Sequence, residues 1–171
     1  AVNDAKDAFG RGDFNSSLAG FETAHDLESD YGFSPSIIPL DTEQQAAKGV
    51  LKIKMNEMAQ MAEKNEWEAL TSQLSKAEEM QAFYKLDSDK DINTPKKTIK
   101  EKLKKYTCDL ANRKFDEFVQ KAKASIASNN YIIASDNYDN ALKVANDNPV
   151  CEINTSTISE EKANIVAPAT Y

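Results

Sequence analysis

The stretch FDEFVQKAKASIASNNYIIASDNYDNALKVAND, residues 115–147, contains the clearest periodic pattern in the chain. Phe115, Phe118, Val119, Ala122 and Ile126 recur at steps of three and four, which places them on one face of a helix. Tyr131, Ala134, Tyr138, Ala141, Leu142 and Ala145 repeat the pattern after the polar break Ser128-Asn129-Asn130. Asparagine tolerates the left-handed backbone that ends a helix. Two apolar stripes across so short a break predict an antiparallel helical hairpin.

The same reading extends outward in both directions. Upstream, Ile99, Leu103, Tyr106 and Leu110 lead into the Phe115 stripe, and Thr94-Pro95 predicts the helix start, a cap followed by proline in the first turn. Residues 85–94 are then a polar loop. Val50, Leu51, Met55, Met58, Met61 and Ala62 form a further stripe, begun at Asp41 or Thr42, and Trp67, Leu70, Leu74, Ala77 and Met80 return from it. Phe14, Leu18, Phe21, Ala24 and Leu27 answer a short first helix broken at Gly10-Arg11-Gly12-Asp13. Residues 31–41, with Gly32, Pro35 and Pro39, predict a loop whose Phe33, Ile37 and Ile38 tuck against the core. Beyond Pro149 the chain reads as extended until Ser156 or Thr157 caps a last helix that stops before Pro168. The expectation is a single all-α domain over 1–171. Its hairpins fall at about 1–30, 42–84 and 95–147, with a long helix in the third and a terminal helix at 157–167.

The three breaks superpose. Gly12-Asp13-Phe14, Asn65-Glu66-Trp67 and Asn129-Asn130-Tyr131 each give a turn former, a polar residue and an aromatic. Seven residues after the aromatic come Phe21, Leu74 and Tyr138, and ten after it Ala24, Ala77 and Ala141. The aromatic is read as a plug for the closed end of the hairpin, the alanine as a point of close helix approach. This pattern resembles the tetratricopeptide repeat family, whose Gly-Asp-aromatic turn is best kept at Gly12-Asp13-Phe14. The turns are 53 and 64 residues apart, against about 34 in the standard repeat, so the resemblance is to elongated hairpins stacked as a short solenoid. The alternative is an unrelated helical bundle that reached the same packing. In such repeats the first helix of each hairpin lines a concave face. The resemblance therefore implies partner contacts at Lys6, Lys52, Met55, Glu63, Asp116, Val119 and Lys123.

Composition narrows the function classes. With 171 residues, 40% apolar and 29% charged, the chain is long enough for a substantial core. A formal charge of −7 argues against generic nucleic-acid binding. No apolar run approaches the ~18 residues of a membrane span. Asp87-x-Asp89-x-Asp91 begins like a calcium loop, but Ile92 stands where the glycine belongs and Thr98 where the closing glutamate belongs. It is read as a solvated acidic loop, and the lysines at 96, 97, 100, 102, 104 and 105 as a solvated basic face. His25 is the one histidine and has no cysteine near it, which supports neither a metal site nor a triad. Asn15-Ser16-Ser17 and Asn154-Thr155-Ser156 match the glycosylation sequon.

Cysteine placement adds a geometric expectation. Folding the third hairpin about Asn129-Asn130 brings residue 108 level with residue 151, and both are cysteines. A Cys108–Cys151 disulfide is expected, and with it an extracytoplasmic location, periplasmic or secreted. The start at Ala1 without methionine suggests a piece excised from a longer chain. The functional expectation is a non-enzymatic module or scaffold that binds a protein or peptide, with no cofactor, metal or catalytic residue. The alternatives are a helical small-ligand carrier, with Met55, Met58 and Met61 lining its cavity, and a purely structural segment of a longer repeat protein.

Overall fold

The computed structural model describes residues 1–32 and 36–166. Among these every regular element is helical. The order is α1 (Val2–Gly10), α2 (Phe14–Tyr31), α3 (Leu40–Glu63), α4 (Trp67–Phe83), α5 (Lys90–Ala127), α6 (Tyr131–Asp147), a single 3₁₀ turn at Pro149–Cys151, and α7 (Ser156–Val166). The chain divides into two compact units, Ala1–Glu101 and Lys102–Tyr171, with the boundary inside α5.

One local device makes all three predicted breaks. Gly12, Asn65 and Asn129 take left-handed φ values of 75°, 61° and 56°. The N–H of the next residue then reaches the carbonyl five residues back. Asp13 bonds Ala8 at 3.0 Å, Glu66 bonds Met61 at 2.9 Å and Asn130 bonds Ser125 at 2.8 Å. This is the Schellman closure, which satisfies carbonyls that a helix end leaves open. The closing residue is also the N-cap of the following helix. The Asp13 and Asn130 side chains accept from the backbone N–H of Ser16 and Ile133. Glycine fits the left-handed geometry without strain, and asparagine tolerates it better than other side chains.

In the first unit α1 packs on α2, α2 on α3, and α3 on α4. Ala5, Phe21, Ala24 and Ile38 form one buried cluster with Val2 against it. The close approach of α2 and α3 depends on Gly49. A Cβ there would lie 2.3 Å from Cγ of Phe14. In the second unit Phe115, Val119 and Ala122 of α5, Ala134, Tyr138 and Ala141 of α6, and Ile158 and Ile165 of α7 share one core. The terminal helix is therefore the third wall of the third hairpin.

Several boundaries and placements differ from the expectation. Helix α5 starts at Lys90, not Thr94, because the Asp89 carboxylate accepts from the N–H of Asp91 and its carbonyl from Asn93. Pro95 thus sits inside the helix. Helix α3 starts at Leu40, with the Pro39 carbonyl accepting from Thr42 and Glu43 and no side-chain cap at Asp41 or Thr42. Residues 149–151 make a 3₁₀ turn at the start of a segment expected to be extended. Of the apolar residues in the loop before α3, Ile38 is buried, Ile37 is exposed and Phe33 lies outside the described residues. The turn aromatics are not deep plugs. Phe14 and Trp67 are half-buried and Tyr131 is 37% exposed. The residues three, seven and ten positions after them, among them Phe21, Leu74 and Tyr138, are the buried ones.

Cys108 and Cys151 are joined by a disulfide, with Cα atoms 5.1 Å apart. The bridge ties α5 to the 3₁₀ turn that follows α6. It closes a loop of 43 residues, worth about 4 kcal/mol in the chain-entropy account. Replacing both cysteines by serine should lower the unfolding free energy by roughly that amount in denaturant titration. A loss under about 1 kcal/mol would mean that the unfolded chain gains little freedom from the cut. In the other unit, Gly49→Ala should cost about 1–3 kcal/mol through overpacking against Phe14. An unchanged melting temperature would show that the α2–α3 contact yields easily.

Candidate functional site

The residues that the family resemblance placed on a concave face separate into groups. Met55, at 1% exposed, and Val119, at 7%, belong to the core and present nothing to a partner. Their stripes run at helical spacing, and burial of such stripes is what holds the hairpins. Of the other two methionines of the carrier alternative, Met58 is buried and Met61 half-buried. Lys52 is exposed and pairs with Asp91 at 2.8 Å. Lys123 lies 3.6 Å from Glu161. Asp116 and Glu63 are exposed. Lys6, also exposed, lines a surface cavity of about 570 Å³ beside Asp4, Leu27, Glu28 and Ile37. Lys6, Lys52, Met55 and Glu63 belong to the first unit, and Asp116, Val119 and Lys123 to the second.

Most of the acidic and basic runs is exposed, as a solvated reading expects, and several of their members also make ion pairs or hydrogen bonds. Lys48 of α3 reaches Asp89 at 2.7 Å and Asp91 at 3.1 Å. The Lys48 hydrogen bond is the main cause that holds Asp89 below its ordinary range, and for Asp91 it is the Lys52 hydrogen bond, followed by that of Lys48. Two of the three carboxylates of the calcium-like stretch are thus neutralised from α3. Among the lysines of 96–105, Lys96 donates to Gln81, Lys97 faces Glu101 and Lys100 pairs with Glu78. Gln81 is a buried hub. Its amide nitrogen donates to the Leu86 carbonyl and to Asn93, each at 2.9 Å, and its oxygen accepts from Lys96.

The most developed polar site involves His25, which the sequence reading set aside. Three elements of the first unit converge there. His25 lies on α2, Glu43 in the first turn of α3, and Tyr84 at the end of α4. His25 Nε2 lies 3.1 and 3.2 Å from the two Glu43 oxygens. Glu43 is only 4% exposed, a rare condition for a carboxylate without partners. Burial raises the Tyr84 hydroxyl to about 12, helped by the charges of Glu43 and Glu22 and by a hydrogen bond to Glu43. Gln44 donates to the Tyr84 carbonyl at 2.8 Å, which fixes the end of α4 against α3.

A cleft of about 370 Å³ opens over this group, lined by His25, Leu40, Asp41, Glu43, Gln44, Phe83, Tyr84 and Lys85. A second hollow of about 260 Å³ adjoins it and adds Glu22 and Asp26. Phe83 is 76% exposed and Leu40 67% exposed. The Phe83 ring stands edge-on to Tyr84, with centroids 4.9 Å apart. The chemistry on offer is recognition: a satisfied polar floor, apolar rims and an excess of carboxylates. No sequence signal could have assembled it, because its members lie 18 and 41 residues apart along the chain and belong to no shared motif.

The chain matches no family model, no curated protein and no solved structure.

Tyr138 in the second unit parallels Tyr84. Burial first, then its 2.6 Å hydrogen bond to Glu161 and that residue's charge, raise it to about 12. A folded-state pKa above the ordinary 10.0 means that the stability from each protonated hydroxyl is present below that value. It is lost as pH rises toward about 12. Spectroscopic titration of the phenolate band should show Tyr84 and Tyr138 ionising late, together with alkaline unfolding. Early titration of these two would contradict both burials.

Proposed function

We propose that this chain is a non-enzymatic module that binds a protein or peptide, built from divergent tetratricopeptide-repeat-like hairpins. The observation that carries the reading is the pair Leu40 and Phe83, both largely exposed, on the rim of the His25–Glu43–Tyr84 cleft. Exposed apolar groups beside a polar, hydrogen-bonded floor have the anatomy of an interaction site. The recurrent Schellman turns and the buried positions three, seven and ten residues after each turn aromatic support the likeness to the repeat family. The acidic balance favours protein over nucleic acid as partner. The Cys108–Cys151 bridge fits work in an oxidising compartment.

Selection from a random peptide display library tests the proposal. Enriched peptides should bind with micromolar affinity, and Phe83→Ala or Leu40→Asp should weaken them by about tenfold or more, the loss expected when a rim anchor is removed. A library that yields no enriched peptide, or peptides indifferent to both substitutions, would overturn it.

A further inference from the structure

The cleft has a chemical preference that goes beyond peptide binding in general. We infer that it takes a basic side chain, the guanidinium of an arginine before the ammonium of a lysine, from the bound segment. The inference rests on the binding reading above and deepens it at the same site.

Charge complementarity is the first argument. Around the two adjoining hollows stand the exposed carboxylates of Glu22, Asp26 and Asp41, with Glu43 buried beneath and bound to His25, against the single ammonium of Lys85. A cleft walled by one sign of charge concentrates the opposite sign. Ring geometry is the second. Phe83 is held edge-on by Tyr84 and turns most of its surface to solvent beside those carboxylates. A guanidinium stacks on an aromatic face while its planar donors pair with a carboxylate, which an ammonium does less well. Preorganisation is the third. Glu43 is buried and fixed by His25, and Gln44 fixes the end of α4, so the floor needs no reordering on binding. A metal ion suits the site less well. Among the described residues no group of three His, Cys, Asp or Glu side chains converges to hold one.

The probe is Nα-acetyl-arginine amide, set against its neutral isostere Nα-acetyl-citrulline amide, with binding followed by amide chemical shifts of the whole chain. The arginine probe should produce saturable shifts centred on His25, Tyr84 and Lys85. The citrulline probe should bind at least about tenfold more weakly, since it keeps the shape and loses the charge. The double variant Glu22→Gln, Asp26→Asn changes two exposed side chains of α2. It should keep the spectrum of a folded protein and weaken the arginine probe by several fold. Equal binding of the two probes, shifts centred elsewhere, or an unaffected double variant would overturn the inference. The library result separates it from its premise. Enriched peptides without a basic bias that still require Phe83 leave the binding reading standing and remove this one, whereas an unenriched library removes both.

Discussion

Each hairpin of this protein depends on one backbone hydrogen bond, from the residue after the left-handed position to the carbonyl five residues earlier. At Asp13, Glu66 and Asn130 that bond ends one helix and starts the next within a single residue. So short a turn leaves the second helix little freedom. It must run back along the first, and the residues three, seven and ten positions after the turn aromatic face inward. Ser17, Phe21 and Ala24, then Leu70, Leu74 and Ala77, then Ala134, Tyr138 and Ala141 are all buried for this reason. Ser17 carries a cost of that placement, since its hydroxyl finds no hydrogen-bond partner among the described residues.

A fourth turn uses the same closure and then departs from it. Leu86 bonds the Gln81 carbonyl, and Lys85 takes a left-handed φ of 56°. Here no helix follows at once. The chain is instead held by Gln81, Asn93 and Lys96, and by the Lys48 pairs to Asp89 and Asp91, until α5 is under way. A lysine in the left-handed region is costlier than the glycine or asparagine of the other three turns. The buried amide network offsets that cost.

Periodicity made the helices legible, because burial of one stripe is a property of neighbours in sequence. The three hairpin turns were legible for the same reason: glycine and asparagine announce the left-handed position they occupy. Where packing partners come from elsewhere, the reading failed. Thr94-Pro95 is a strong local start signal, yet Asp89 caps the helix a turn and a half earlier because Lys48 and Asn93 anchor that segment. Turn aromatics looked like plugs, yet beside the turn they are only half-buried or exposed, and the positions three, seven and ten residues later fill the seam between the helices. The cleft was invisible. His25 reads as a lone histidine and Glu43 as one acid among many until α2, α3 and α4 bring them together with Tyr84.

The disulfide has a consequence for a severed chain. Everything from Cys108 to Cys151, including the exposed Asn129-Asn130 turn and the whole of α6, lies inside one covalent ring. A single protease cut in that ring makes two ends but not two molecules. The nicked protein keeps its mass, apart from one added water, and the core of Phe115, Tyr138 and Ile158 keeps its pieces at intramolecular concentration. In a protease-rich environment the bridge thus confers tolerance of damage as well as stability against unfolding.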